Sequence, residues 1–226
     1  MINSSLKQSI FDKYAPYLLG TLLLIGGGML GFWGYRLYLD KIEQAAFKDL
    51  AESIEAFNAF VALNPEKQVA SGGTQKLDDL EQAFIVGAQK YDKSKLIPFF
   101  YLYKADSLIQ KGDFNAALVA LESAIDKIEK NNPFYYLLLS KKALLQADND
   151  ASREQGIKEL NELAMDANNP FAPMSGYYLG LHYYHAGNVA KAKDIWKDAL
   201  DKQESSSVAK ECSWCDQIRS KLNTIS

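Results

Sequence analysis

The chain has 226 residues and a formal net charge of −3 at pH 7. This charge excludes a strongly basic nucleic-acid-binding protein as the default class, and we predict no nucleic-acid partner. Its two cysteines are too few for a scaffold held together by disulfides. Because the sequence carries no Walker loop, G-x-S-x-G or H-E-x-x-H motif, we expect a non-enzymatic protein without a cofactor.

A long uncharged stretch follows a short N-terminal tail at 1–13. The stretch "YAPYLLGTLLLIGGGMLGFWGY" lies between Lys13 and Arg36. About 20 apolar residues span the hydrocarbon core of a bilayer, and aromatic rings favour both of its interfaces. We therefore predict a single transmembrane helix at 14–39. A cleaved signal peptide is the alternative, but this stretch exceeds an h-region of roughly 7–15 residues and ends in bulky side chains.

Three glycines of this stretch fall near one helical face, at Gly27, Gly31 and Gly34. Small residues at such spacing let a second transmembrane helix approach closely, so we predict a helix-packing face. The alternative is that glycine is simply frequent in transmembrane helices. Lysines or arginines flank the stretch on both sides, so charge alone does not predict its orientation.

The rest of the chain, 40–226, shows helical periodicity and no sustained strand pattern. Pro98, Pro133 and Pro170 are spaced by 35 and 37 residues. Proline at the first helical position, twice preceded by an asparagine cap, predicts three regularly spaced helix starts. Turns at Gly112 and Gly187 would then join each of two such helices to a second one.

Small and large apolar residues alternate across these predicted helix pairs. Small residues are expected where paired helices come close, and large ones between neighbouring pairs. The small residues are Ala105, Ala117, Gly180 and Ala192, and the large ones are Leu121 and Trp196. These stretches, and "LGLHYYHAGNVAKAKDIWKDAL" above all, resemble the tetratricopeptide repeat. We assign a degenerate middle unit at 133–169, an earlier helical pair at 40–63 and 74–91, and a capping helix at 205–224. The predicted fold is all-α: an N-terminal transmembrane helix and a tetratricopeptide-repeat-like α-solenoid with a C-terminal capping helix.

The order of these parts is similar to the YfgM-like family, which comprises ancillary subunits of the bacterial Sec translocon. The likeness is most specific at "FWGYRLY", in the last repeat and in "QIRSKLNTIS". It implies a single-pass inner-membrane protein with its repeat domain in the periplasm. It also implies association with the SecYEG translocon and a membrane-anchored periplasmic chaperone, in the hand-over of exported proteins.

Repeats of this kind bind partners along the face lined by the first helix of each pair. Two apolar rows on that face suit an unfolded or helical protein segment; the predicted groove residues are Phe99, Leu102, Asp106, Ile109, Met174, Tyr177, Leu181 and Tyr184. The alternative is that the first helix or the capping helix covers some of them.

The two histidines and the two cysteines form two pairs with the same spacing, His182 with His185 and Cys212 with Cys215. Two imidazoles and two thiolates would complete a tetrahedral zinc site if the pairs faced each other. A redox-active C-x-x-C pair normally begins a helix, whereas the sequence predicts this pair inside the capping helix. Packed side chains, with a disulfide if the compartment is oxidising, are the remaining alternative. The functions left open are therefore a Sec-associated adaptor, a scaffold for another envelope assembly, and a thiol-redox or zinc protein.

Overall fold

The structure is a computed structural model that describes residues 4–205 and 212–225, with side chains at 26–204 and 212–225. Throughout this part of the chain the regular structure is helical, which confirms the predicted all-α class. The ten described helices are α1 Ser4–Val61, α2 Pro65–Ala70, α3 Gly73–Lys90, α4 Ile97–Lys111, α5 Phe114–Lys127, α6 Pro133–Asp148, α7 Arg153–Met165, α8 Ala172–His185, α9 Val189–Ser205 and α10 Ser213–Thr224.

The first helix, α1, is a single helix of 58 residues. It passes the predicted border between 39 and 40 without a break, because good helix formers such as Lys41, Glu43 and Gln44 follow there. Among the residues whose side chains are described, no helix has a stretch long and apolar enough to cross a membrane. The first part of the predicted span, 14–25, lies outside those residues.

From α3 onward, each helix packs against the next one in the chain. Helices α4 and α5, α6 and α7, and α8 and α9 form three hairpins, while α1 lies against α3 and α10 lies against α8 and α9. This sequential stacking is consistent with the predicted α-solenoid. It divides the apolar interior into successive clusters rather than one central core.

Two of the three predicted helix starts are confirmed, and the third is displaced. Asn132 caps α6 by accepting the backbone N–H of Phe134, and Pro98 lies in the first turn of α4. In contrast, α8 begins at Ala172 and not at Pro170. The buried Asn169 side chain makes two bonds here: its oxygen accepts the backbone N–H of Phe171, as Asn132 does for Phe134, and its amide group donates to the Leu163 carbonyl at the end of α7.

The predicted pairing of small and large side chains is confirmed. Ala105, Ala117 and Ala192 are fully buried, as is Trp196. A Cβ atom at Gly180 would lie 2.1 Å from the indole nitrogen of Trp196, so only glycine leaves room for that ring. The hairpin turns also form where predicted, with Gly112 and Gly187 at φ of +80°, a conformation that favours glycine.

The predicted capping helix is shorter than expected. Ser205 belongs to α9, and α10 begins only at Ser213. The backbone of Cys212 is extended and caps the helix, which places a helix start within the predicted 205–224 segment. Ile218 of α10 is fully buried in a cluster with Trp196 and Ala199, so this short helix does cover the last hairpin.

Candidate functional site

The predicted groove is partly closed in the first hairpin. Leu102 is buried and packs among residues of α5 and α6, so its assignment to an open groove was wrong. Phe99 is half-buried, with its ring 5.3 Å from that of Phe134 in an edge-on contact. Asp106 forms a half-buried ion pair with Lys141 at 2.7 Å, which ties α4 to α6. Ile109 is half-buried against the same interior cluster.

In the last hairpin the predicted groove is covered by α10. Met174 is buried, so its assignment to an open groove was also wrong. Tyr177, Leu181 and Tyr184 are half-buried against the cluster that contains Ile218 of α10. Their aromatic and aliphatic rows are therefore used to dock the chain's own last helix, as the alternative prediction allowed.

An open cavity lies between α6 and α7, where sequence reasoning placed nothing. It has a volume of about 430 Å³ and is lined by Tyr135 and Tyr136, by the acidic side chains of Glu159, Glu162 and Asp166, and by Lys142, which forms an ion pair with Glu159 at 3.2 Å. Burial raises the pKa of Tyr136, and a hydrogen bond to Asp166 adds to the shift. The acidic spacing along α7 was the available signal, but it equally indicates a solvated helix face.

A second cavity, of about 520 Å³, lies between α1 and α3. Asp49 of α1 accepts a hydrogen bond from the Tyr91 hydroxyl and pairs with Lys90. The hydrogen bond from Tyr91 is the largest cause that lowers the pKa of the Asp49 carboxyl, and the hydrogen bond from Lys90 lowers it further. Asp49 and Lys90 are paired with each other, so this ion pair connects α1 with α3.

The cysteine pair is joined as a disulfide at the start of α10. Cys212 is the capping residue and Cys215 lies in the first turn. The backbone N–H of Cys215 lies 3.1 Å from the Cys212 sulfur. The prediction that both cysteines lie inside a helix was therefore wrong. The pair is asymmetric, because Cys215 is 2% exposed whereas Cys212 is half-buried.

Trp214, between the two cysteines, packs onto α8. Its ring centroid lies 5.5 Å from that of Tyr177 and 5.4 Å from that of Tyr178. These three side chains are all half-buried and form an aromatic surface beside the disulfide. Sequence reasoning missed this contact because it depends on where α10 docks.

The histidine pair does not complete a metal site with the cysteines. Burial lowers the pKa of His182, and the charge of Arg153 lowers it further, whereas His185 is exposed with its ring 5.6 Å from that of Tyr184. Within 26–204 and 212–225, no group of three or more His, Cys, Asp or Glu side chains is arranged to hold a metal ion. The zinc prediction is not supported, since the two sulfurs are bonded to each other and not free to act as thiolates.

The three glycines predicted as a membrane packing face lie in open space. A Cβ atom at Gly27, Gly31 or Gly34 would have no neighbouring atom within 4 Å. Large apolar side chains of the same part of α1 are also exposed; they are Met29, Leu30, Phe32, Trp33, Tyr35, Leu37 and Tyr38. We refer to Met29–Tyr38 as the apolar band.

No family model matches the chain, and no curated protein is significantly similar to it.

Proposed function

We propose that this protein is an adaptor of the bacterial inner membrane, anchored by a single helix at 14–39. Its helical repeat domain lies in the periplasm and binds protein segments beside the SecYEG translocon, where it assists a membrane-anchored chaperone in receiving exported proteins. The observation that carries the proposal is the apolar band, which is exposed on a helix that continues unbroken into the solenoid.

The apolar band supports an anchor because its exposure in water is unfavourable. Leu30 and Trp33 are 77% and 67% exposed, and seven large apolar side chains occupy this short segment. Burial of one such side chain contributes roughly 1.5–3 kcal/mol, so together they favour a bilayer or a membrane partner strongly. The proposed span also includes 14–25, which lie outside the described side chains.

The disulfide supports the periplasmic assignment. Disulfides persist in oxidising compartments such as the periplasm and are rare in the cytosol. Cys212 and Cys215 are bonded to each other, and the repeat domain follows the anchor directly. A periplasmic domain is also what the resemblance to the YfgM-like family implies.

The cavity between α6 and α7 is the proposed contact for partner segments. Since α10 and the interior clusters occupy much of the predicted groove, this cavity is the better candidate. Its tyrosine rings offer apolar contact area, and the carboxylates of Glu162 and Asp166 favour basic side chains. Exported proteins in an unfolded state present both apolar and basic side chains.

Crosslinking in bacterial membranes tests the proposal. A photo-reactive residue replaces Tyr135 at the cavity, and a matched control carries it at the exposed Val119 of α5. After illumination we expect SecY and chaperone peptides to co-purify with the chain, and segments of exported proteins to crosslink at position 135 more than at 119. Recovery of other envelope proteins in place of SecY would contradict the proposal and favour an envelope scaffold.

The anchor is tested in the same membranes. Replacing Gly27, Gly31 and Gly34 together by leucine should abolish recovery of SecY if that face packs on the translocon, because bulky side chains prevent close approach. The conservative exchanges Met29→Leu and Leu30→Ile serve as the control. Protease accessibility in spheroplasts should show cleavage of the repeat domain, and full protection there would contradict the periplasmic location.

A further inference from the structure

The two cysteines of the disulfide differ in their exposure. Cys212 is half-buried at the cap of α10, whereas Cys215 is 2% exposed in the first turn. Cys212 is therefore the more exposed residue of the pair, and its side is the one from which an incoming thiolate approaches the bond more readily. Exchange at a disulfide depends on which sulfur is accessible to attack.

The first turn of α10 is also suited to hold a negative charge on Cys212. The backbone N–H of Cys215 points at the Cys212 sulfur at 3.1 Å, and the amides of a helix N-terminus carry partial positive charge. The one acidic residue in this turn, Asp216, forms an ion pair with Arg219 at 3.1 Å, which offsets its charge. Arg219 also contacts Glu204 at the end of α9.

Contacts other than the disulfide also hold α10 against the last hairpin. Ile218 is fully buried against the last hairpin, and Trp214 packs on Tyr177 and Tyr178. A disulfide across three residues closes a very short loop, which restricts the unfolded chain less than a long one does. A chemical role for the bond is therefore more consistent with the structure than a purely structural one.

We propose that Cys212 and Cys215 form a thiol–disulfide exchange site for protein segments that carry two cysteines. Cys212 is the sulfur that an incoming thiolate attacks, and Cys215 is the shielded leaving sulfur. Tyr178 and Trp214, both partly exposed, lie beside the pair and offer apolar contact for such a segment. This activity goes beyond partner binding and does not depend on association with the translocon.

The exchange proceeds in two balanced steps. A thiolate of the segment forms a bond to the Cys212 sulfur, the Cys212–Cys215 bond breaks, and its electron pair leaves on Cys215, which takes a proton from water. The second thiolate of the segment then attacks the sulfur of the segment's first cysteine, which is bonded to Cys212 in the mixed disulfide. This forms the disulfide of the segment and releases Cys212 as a thiolate. The segment loses two electrons and gains a disulfide, while the cysteine pair gains those electrons.

The first experiment measures this oxidation with the full chain in detergent. The oxidised protein is mixed without oxygen with a reduced peptide that contains two cysteines, and both products are quantified by mass spectrometry. We expect one peptide disulfide for each cysteine pair that becomes reduced. Absence of peptide oxidation, while the protein keeps its helical circular dichroism, would overturn the proposal.

The second experiment measures thiol reactivity with Ellman's reagent. In the Cys215→Ser variant Cys212 is the remaining thiol, and in Cys212→Ser it is Cys215. We expect the Cys212 thiol to react about tenfold faster than the Cys215 thiol, because it is more exposed and has the amide donor. In guanidinium, where both variants are unfolded, the two thiols should react at equal rates. The difference between them then depends on the folded structure.

Exposure alone is separated from activation by a third variant. Cys212→Ser/Cys215→Ser/Ser220→Cys places a lone thiol on the exposed side of the same helix. Cys212 should react about tenfold faster than this thiol at neutral pH, because the helix N-terminus stabilises the thiolate. Equal rates, with native circular dichroism in all variants, would contradict an activated exchange site.

Discussion

At the scale of single residues, Gly180 and Trp196 show how a repeat interface is built. The Trp196 ring is fully buried, and its indole N–H donates to the Tyr177 carbonyl at 3.0 Å. Glycine inside a helix is intrinsically unfavourable, at about 1 kcal/mol relative to alanine. Here the missing side chain of Gly180 leaves the space that the indole occupies, so the packing of α8 on α9 outweighs that cost.

Gly180→Ala should therefore destabilise the protein despite its better helix propensity. The added methyl group would lie 2.1 Å from the Trp196 nitrogen, and overpacking of this kind costs roughly 1–3 kcal/mol. We expect the free energy of unfolding to fall by that amount in urea titrations followed by circular dichroism. Gly34→Ala, where no atom lies within 4 Å, is the matched control and should be neutral or slightly stabilising. Equal effects of the two exchanges would contradict this interpretation.

At the scale of helices, α10 decides what the last hairpin can bind. Ile218 and Leu222 of this helix, and Ile225 directly after it, pack into one cluster with three predicted groove residues, Tyr177, Leu181 and Tyr184. A terminal repeat would otherwise expose its stacking face, and a cap with a polar outer side prevents this. The groove of the last hairpin is thus used internally.

Ile218→Ala should loosen this helix. Removing a fully buried isoleucine side chain costs about 2–5 kcal/mol, and α10 has few other buried side chains to hold it. We expect faster amide hydrogen exchange in α10, and faster exchange at the adjoining face of α8. The exposed position Ser220→Ala is the control. Unchanged protection of α10 in the isoleucine variant would show that the cap is held by other contacts.

At the scale of the whole molecule, contacts between helices that are neighbours in the chain dominate the fold. Two longer links connect the first helices of successive hairpins, the Asp106–Lys141 ion pair and the buried Ser140–Ser175 hydroxyl contact at 3.0 Å. In such a stack the stability is approximately a sum of repeat and interface terms. A local defect should therefore spread to adjoining helices and fade beyond them.

Gly156→Ala tests this expectation in the middle hairpin. A Cβ atom there would lie 2.3 Å from the Ala147 backbone nitrogen, and backbone cannot move aside as a flexible side chain can. We expect a loss of at least about 1–3 kcal/mol, with faster hydrogen exchange in α6 and α7 and less so in α5 and α8. Protection of α3 should be retained. The exposed Lys158→Ala on α7 is the control, and a uniform loss of protection along the chain would contradict nearest-neighbour stacking.

Local chemistry determined the helical class, most hairpin boundaries and the small and large contacts from the sequence alone. The cap at Asn132, the turns at Gly112 and Gly187 and the complementarity of Ala192 with Trp196 depend on residues close in sequence or on a repeated register. Such signals need no knowledge of distant parts of the chain. They could therefore be predicted before the structure was known.

Tertiary structure alone decided which faces remain open. Leu102 and Met174 have the same helical spacing as half-buried neighbours, yet they are buried because adjoining helices cover them. The start of α10 at Ser213 likewise depends on how Ile218 and Trp214 dock, and this placed Cys212 at a helix N-terminus rather than inside a helix. Periodicity predicts that a residue is on the apolar side of a helix, but burial and reactivity depend on what packs against that side.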